Sequence, residues 1–461
     1  MKHLPRDAWS RSKAMLGLAA GLSGQELRHR LRTSFSNSAE KLRGSELSAR
    51  IEQARLMVDS LGRLKGALMK AGQLLSMDAS DLLPPEALAI LAKLQGGAEP
   101  VDFEVLRGVL VDELGPDWAN AFDSFDERPA ASASIGQVHR ATVGAVPVAV
   151  KIQYPGVRES IDSDLAVLRK FGNGWLTVTR RDIELDGVFE ELRSLLHLEA
   201  DYGHERFCQS LFASLVASDP RFVVPRVLPE LSATRVLTMS WEEGQPLGQW
   251  LLQGPPHDDR LWLAQAMLDL YCSEFFRWGL VQTDPNFANF LMRPAERQLV
   301  LLDFGATLEF EPEFRQGYVR LLRAVASGDA RRVADEGISF GLIDPRESRA
   351  TLDLFAEFLT TAVEPFDAKL QPFAFRDADY AARSRDIGSR FTKSLAYSPP
   401  PRRLLFLHRK LGGIFQLLRR LDLELDLRPY WAQMVEGDDA GVYSSRSTQT
   451  CTSPGASPGS T

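Results

Sequence analysis

The stretch VQTDPNFANFLM, residues 281–292, places an aspartate, a proline and two asparagines between two apolar runs. Asp284 and Asn289 are five residues apart. Asp303 follows fourteen residues after Asn289, within the mostly apolar stretch LVLLDFGA. Hard cations such as Mg²⁺ prefer oxygen ligands, usually one or two carboxylates together with phosphate oxygens. Three oxygen-bearing side chains next to apolar elements therefore predict a catalytic and metal-binding loop.

The spacing of these residues is that of protein kinases, in which a catalytic-loop Asp and Asn precede the metal-binding Asp of Asp-Phe-Gly. Upstream, VAVKIQY places Lys151 among apolar residues, where a charge is unusual. Taken alone, a lysine on the wet face of an alternating strand is the better interpretation. Followed in order by Asp284, Asn289 and Asp303, Lys151 is better interpreted as the lysine that binds nucleotide phosphates.

Two kinase features are missing from the sequence. No Gly-x-Gly-x-x-Gly precedes Lys151, and the equivalent stretch, ASASIGQVH at residues 131–139, contains a single glycine. Because glycines let backbone amides approach phosphates, an alanine-rich loop should bind a nucleotide differently. There is also no His-Arg-Asp, and a helix predicted near Glu313 leaves no room for a peptide-docking segment after Asp303. A protein substrate is therefore disfavoured.

Composition and charge set wider limits. With 461 residues, 44% hydrophobic and 25% charged, the chain is typical of a soluble globular protein, and three scattered cysteines favour a reducing compartment. Residues 1–70 hold 14 Lys and Arg against 6 Asp and Glu. This basic end includes MLGLAAGL, which is too short to span a membrane but suits an interfacial helix, a weak targeting sequence or an ordinary packing helix. We expect no transmembrane helix.

Apolar periodicity predicts one helix over Glu46–Met77, strands joined by a tight turn within 121–153, and long helices after Pro155. The later helices are expected at Ile183–Ala213, Asp259–Trp278, Glu313–Ala326 and Arg349–Val363. A small β-rich part followed by a mostly helical part predicts an α+β fold of two lobes.

These motifs resemble the UbiB family of atypical protein-kinase-like proteins, and most closely its ADCK-type coenzyme Q biosynthesis branch, over roughly residues 45–435. The stretches that carry the resemblance are KAGQLLSM, ASIGQVH, VAVKIQYPGV, LEADYGHE, QTDPNFAN and LHRKLGGIF. The resemblance implies a bilobal protein-kinase-like fold with an N-terminal helical extension over the active site. The expected divisions are a basic segment at 1–44, the extension at 45–120, the N-lobe at 121–240, the C-lobe at 241–435 and a disordered tail at 436–461.

The resemblance also implies residue roles. Asp284 would orient the nucleophile, Lys151 steadied by Glu205 would bind the phosphates, and Asn289 and Asp303 would hold Mg²⁺. The nucleotide loop would comprise Ala131, Ser132, Ala133, Ser134, Ile135 and Gly136. A gating set over the active site would comprise Lys70, Gly72, Gln73, Glu199 and Asp201, with Lys70 paired to Glu199.

The expected cofactors are ATP and Mg²⁺, and the expected role is in ubiquinone or isoprenoid-lipid metabolism. Partners would be anionic lipids, quinone precursors and other ubiquinone-biosynthesis proteins, with no nucleic acid. We expect a bacterial-type cytoplasmic protein that contacts the inner membrane peripherally, since no membrane-spanning helices follow residue 435. Ser132 replaces an alanine of the family loop, which leaves the preference between ATP and ADP open.

Three function classes remain. The first is an ATP-dependent phosphotransferase or ATPase acting on a small molecule, the second is a nucleotide-regulated lipid- or partner-binding protein, and the third is a protein Ser/Thr kinase.

Overall fold

The computed structural model describes residues 101–133, 135–166, 169, 186–396 and 402–436. The chain divides into two compact units. The first unit comprises the chain up to Arg206 together with the separate stretch Arg226–Trp241. The second unit comprises Phe207–Pro225 and the chain from Glu242 onward.

The first unit contains a four-stranded antiparallel sheet with strand order β1-β2-β3-β5. Its strands are β1 (Ser124–Ser132), β2 (Gly136–Val143), β3 (Val146–Gln153) and β5 (Val236–Ser240). Its helical elements are α1 (Phe103–Leu114), a segment at 157–166, α2 (Asp186–Glu199) and the first turn of α3 (Tyr202–Leu215).

The β2–β3 hairpin explains why this stretch forms the centre of the sheet. Gly144 and Ala145 both have positive φ angles, 56° and 64°, as a two-residue turn that matches the strand twist requires. From Val148 to Gln153 every residue of β3 is buried, so both faces of the strand are covered. Lys151 therefore does not lie on a wet strand face, and the alternative interpretation as a solvated lysine is wrong.

The second unit is mostly helical and carries only short strands. Its helices, after the remainder of α3, are α4 (Leu247–Leu252), α5 (His257–Cys272), α6 (Pro312–Ala326), α7 (Ala330–Ser339), α8 (Arg349–Val363), α9 (Ala378–Ser394), α10 (Arg402–Leu421) and α11 (Arg428–Glu436). Its strands are β4 (Phe222–Val223), β6 (Gln245–Pro246), β7 (Leu280–Gln282), β8 (Phe290–Arg293), β9 (Gln298–Leu301), β10 (Thr307–Glu309), β11 (Phe373–Ala374) and β12 (Glu424–Leu425). They form sheets of order β4-β9-β8-β6, β10-β7 and β11-β12.

The α+β prediction is confirmed, with differences in detail. One helix was expected at Ile183–Ala213, but the described residues from Asp186 onward form two helices, because the chain turns at Ala200 and Asp201. A short strand, β10, lies between Asp303 and α6, where a direct passage into the helix was expected. The helix predicted at Glu46–Met77, the rest of the chain before residue 101 and the tail after 436 lie outside the described residues.

None of the described helices combines the length and the apolar character that a membrane crossing requires.

Close packing of α7 on α8 gives a first test of the helical unit. A Cβ added at Gly337 would lie 2.2 Å from Cε1 of the buried Phe355 ring. Gly337→Ala should lower the free energy of unfolding by about 1–3 kcal/mol, because the ring cannot move without disturbing the core. Gly388, on α9, is the matched control, since its nearest neighbour would be 3.7 Å away and Gly388→Ala should stabilise the helix by about 0.5–1 kcal/mol. Urea unfolding of both variants checks the prediction, and equal effects would contradict it.

Candidate active site

In the first unit, Lys151 of β3 pairs with Glu205 of α3. The Lys151 Nζ atom donates to both Glu205 carboxylate oxygens at 2.7 Å, and the side chains are 11% and 0% exposed. The ring of Tyr202, one helical turn before Glu205, lies 5.0 Å from the same ammonium group. A buried charge is tolerated when it is paired in this way, so β3 and the start of α3 hold the lysine in one position.

The turn between β1 and β2 contains the predicted nucleotide loop. Ala131 and Ser132 end β1 with exposed side chains, and the Ala133 N–H donates to the Gly136 carbonyl at 2.9 Å. A Cβ at residue 136 would lie 2.5 Å from the Ile152 carbonyl oxygen and 2.7 Å from the Tyr202 hydroxyl. Gly136 is therefore the loop residue that must be glycine, because the backbone of β3 approaches it closely. Ile135 is buried, and Ser134 lies outside the described residues.

Glu199 and Asp201 lie at the junction of α2 and α3. Glu199 ends α2 and is buried. Asp201 precedes α3, and its Oδ1 accepts a hydrogen bond from the His204 N–H at 3.1 Å, which is an N-terminal cap. The Asp201 Oδ2 atom lies 3.8 Å from Arg158 Nη2. The gating residues Lys70, Gly72 and Gln73 lie outside the described residues, so their predicted pairing stays a prediction.

In the second unit, the turn-forming residues of the predicted catalytic loop, residues 283–289, make hydrogen bonds that shape the loop. The Asn286 side chain accepts from the Ala288 N–H at 3.0 Å and caps a one-turn 3₁₀ helix, Phe287–Asn289. That turn places Asn289 beside Asp284, where Asn289 Nδ2 donates to Asp284 Oδ2 at 3.2 Å. Thr283 is fixed by two hydrogen bonds to the Ala306 carbonyl. The polar residues Thr283, Asn286 and Asn289 thus make hydrogen bonds that fix the shape of the loop.

Asp303 is brought to the same place by the β8–β9 hairpin. Phe290 pairs with Leu301, so Asn289 and Asp303 flank one end of the hairpin, and the Leu302 N–H donates to the Asn289 carbonyl at 3.0 Å. Asp303 Oδ1 accepts from the Gly305 N–H at 3.0 Å. Asn289 and Asp303 also line a common cavity of about 10 Å³.

The donor set fits Mg²⁺ better than a metal held by protein groups only. No cluster of three or more His, Cys, Asp or Glu side chains suited to a metal occurs among the described residues. Asp303 and Asn289 supply one carboxylate and one amide, and Mg²⁺ takes its remaining ligands from phosphate and water. The residues are therefore suited to a metal ion that arrives with a nucleotide.

Helix α10 contacts this loop through residues to which the sequence analysis assigned no role, although two of them belong to the stretch LHRKLGGIF. Arg409 Nη2 donates to Asp284 Oδ1 at 3.4 Å, and both side chains are nearly buried. One turn later, a Cβ at Gly413 would lie 2.0 Å from the Cβ of Pro285. Further along, the Arg420 guanidinium lies 5.2 Å from the centre of the Phe287 ring. The helix is thus the support on which the loop rests.

A second buried lysine lies on the same helix. Lys410 pairs with Glu274, which belongs to the π-helical turn Ser273–Trp278, with an Nζ–Oε2 distance of 3.0 Å. Burial raises the pKa of Glu274, and the Lys410 ammonium opposes that effect. Two signals could have found these residues. Glu274 is an acid within an apolar stretch, and the pair Gly412-Gly413 inside a helix indicates a close approach.

Comparisons with known proteins identify the family to which the chain belongs. A family model described as the ABC1 atypical kinase-like domain matches residues 93–336, which is more than half of the chain, and the chain belongs to this family of atypical kinases. The chain is 34% identical to the rat (Rattus norvegicus) mitochondrial atypical kinase COQ8B over 446 residues, covering 94% of this chain and 82% of the relative. It is likewise 34% identical to the atypical kinase COQ8 of Saccharomyces cerevisiae, covering 79% of this chain and 72% of that protein. The resemblance to the UbiB family and its COQ8/ADCK branch is thereby confirmed.

A solved structure confirms the kinase-like fold. The Rv3197–erythromycin complex from Mycobacterium tuberculosis contains a chain with a TM-score of 0.55 and 27% identity. The match covers 86% of this chain and 98% of that one.

The Lys151–Glu205 pair gives a test of the first unit. Glu205→Ala should lower the free energy of unfolding by about 3–5 kcal/mol, because it leaves a buried ammonium group without its carboxylate. The double variant Lys151→Met/Glu205→Met removes both charges and should recover most of that loss. Chemical denaturation followed by circular dichroism measures both. If the double variant were as unstable as the single one, the unpaired charge would not be the cause.

The adjacent glycines of α10 test the support of the catalytic loop. Gly413→Ala should cost about 1–3 kcal/mol, because the new methyl group collides with Pro285. Gly412→Ala should instead stabilise the helix by about 0.5–1 kcal/mol, since no neighbouring atom lies within 4 Å of a Cβ placed at that residue. Thermal unfolding compares the two neighbours directly, and a neutral Gly413→Ala would show that the loop does not rest on this helix.

Proposed function

We propose that the protein is an Mg-ATP-dependent enzyme that hydrolyses ATP or transfers its terminal phosphoryl group to a small molecule. The observation that carries the proposal is the arrangement of Asp284, Asn289 and Asp303, which one capped turn and one hairpin place together. Membership in an atypical kinase family supports the same reaction class.

The contacts within each unit support the residue roles that we propose. In the first unit, Lys151 is a fixed cation for the nucleotide phosphates, because Glu205 holds its ammonium group. The loop from Ala131 to Gly136 would pass over the nucleotide. In the second unit, Asn289 and Asp303 would hold Mg²⁺, which supplies charge neutralisation on the β- and γ-phosphates. Asp284, fixed by Arg409 and Asn289, would orient the attacking hydroxyl or water.

A small acceptor is favoured over a peptide. The segment after Asp303 is short and tied down, since β10 pairs with β7 and the Phe310 N–H donates to the Gly279 carbonyl at 2.7 Å. Phe304, Ala306 and Phe310 are each no more than 2% exposed. A kinase that docks peptides needs an adaptable segment here, and this one is packed into the core.

The metabolic setting that we propose is ubiquinone or isoprenoid-lipid metabolism. Similarity to the COQ8 proteins supports it. Partners of this kind would be quinone precursors, anionic lipids and other ubiquinone-biosynthesis proteins. Peripheral contact with the cytoplasmic face of a bacterial-type inner membrane, through the basic N-terminal segment, belongs to the same proposal, because anionic headgroups attract Lys and Arg.

The test is Mg²⁺-dependent phosphate release from ATP, with and without liposomes that contain cardiolipin. Asp303→Asn should lower turnover at least about 100-fold, because a lost metal ligand removes several kcal/mol of transition-state stabilisation. Asp386→Asn, at an exposed position of α9, is the matched control and should retain wild-type turnover.

The remaining function classes give different outcomes in the same assay. If wild type and Asp303→Asn are equally inert but bind nucleotide, the protein is a nucleotide-regulated binding protein and the proposal fails. If an added protein is phosphorylated in preference to small phenolic acceptors, the protein-kinase alternative replaces it. Turnover that rises with liposomes and is lost in Asp303→Asn supports a lipid-linked ATPase.

A further inference from the structure

A buried polar cluster lies behind the catalytic loop in the second unit and has no part in the mechanism above. We name it the Lys410 cluster, and it consists of Lys410, Glu274 and Gln282, whose exposures are 2%, 1% and 5%. The Lys410 ammonium lies 3.0 Å from Glu274 Oε2 and 3.4 Å from Gln282 Oε1. Glu274 also accepts a hydrogen bond from the Gln282 backbone N–H.

The cluster joins three separate segments at one point. Glu274 belongs to the π-helical turn, Gln282 ends β7, and Lys410 lies on α10. β7 runs directly into Thr283 and Asp284, and Gln282 pairs with Thr307 of β10, which follows Asp303. The cluster therefore borders both the start of the loop that carries Asp284 and the strand that follows Asp303.

The cluster also faces the predicted metal ligands. Glu274, Gln282 and Lys410 line the same cavity of about 10 Å³ as Asn289 and Asp303. Leu270 and Leu301 are among its apolar walls. A cavity of this size is at the lower limit for one water molecule, so the cluster and the ligand side chains lie within one small space.

A buried ion pair is weak evidence for a gain in stability. Replacing a buried ion pair by apolar groups of similar volume is often neutral or stabilising, because both charges must be desolvated. An ion pair does, however, fix direction, since the ammonium group must point at Glu274 and Gln282 together. Groups outside the ligand set that hold metal ligands in place typically contribute 10–100-fold to metal affinity.

We propose that Lys410 is a positioning residue for Asn289 and Asp303. By joining α10 to Glu274 and Gln282, Lys410 sets the separation of these two oxygen ligands. The inference rests on the proposed use of Mg²⁺ with a nucleotide. Lys410 touches neither substrate nor metal and acts through the walls of the shared cavity.

The test uses the full chain and a fluorescent ATP analogue, whose binding is titrated over a range of Mg²⁺ concentrations and again in EDTA. The variant Lys410→Met/Glu274→Gln removes both charges and nearly conserves volume, so neither charge is left unpaired. We expect the Mg²⁺ concentration for half-maximal nucleotide binding to rise about 10-fold, whereas the affinity in EDTA changes less than about twofold. Arg419→Met, at an exposed position of the same helix, is the control and should match wild type.

A second variant covers the case in which the double variant does not fold. Lys410→Arg keeps the charge but moves the donor groups, and it should raise the Mg²⁺ requirement by a smaller factor than the double variant. A folded variant with the wild-type Mg²⁺ requirement, whatever its melting temperature, would overturn the inference and make the cluster merely structural. The wild-type titration separates this outcome from a failure of the proposed function. If wild-type nucleotide binding is itself independent of Mg²⁺, the proposed metal chemistry is wrong and the inference falls with it.

Discussion

Each unit of this kinase-like chain contains a lysine buried against a glutamate, and the surrounding elements are arranged so that the pair can form. Lys151 meets Glu205 in the first unit, and Lys410 meets Glu274 in the second. An ammonium group removed from water is costly until a carboxylate is fixed beside it. In both units a helix supplies one member of the pair, so the position of that helix is set by charge as well as by apolar packing.

In the second unit, the helix that supplies the buried lysine also contacts the loop that carries Asp284. Arg409 and Gly413 lie one turn apart on α10 and contact Asp284 and Pro285, while Lys410 lies between them in sequence and reaches the inner cluster. The catalytic loop supplies its own turns through Asn286, but its orientation comes from the helix. The capped 3₁₀ turn determines the conformation of the loop, and contacts with α10 determine its orientation.

Much of this site could be predicted from the sequence. The spacing of Asp284, Asn289 and Asp303 is a local property, and Lys151 is conspicuous because its neighbours are apolar. Lys410 has no such contrast, since LHRKLGG also contains His408 and Arg409 and a basic helix is normally interpreted as solvated. Strands of two or three residues, such as β4 and β10, carry no periodicity. Their pairing is decided by distant partners, which a single sequence does not reveal.

The distance along the chain between Asp284 and Arg409 is 125 residues. A ribosome adds about 5–20 residues per second, so the loop exists for roughly 6–25 seconds before its arginine has been made. Glu205 follows Lys151 by only 54 residues and precedes the loop, so the lysine of the first unit can be paired well before then. The nascent chain therefore passes through a stage at which Lys151 can already be paired with Glu205 but Asp284 has not yet met Arg409. The hydrogen bond that holds Asp284 to α10 can form only after residue 409 has been synthesised.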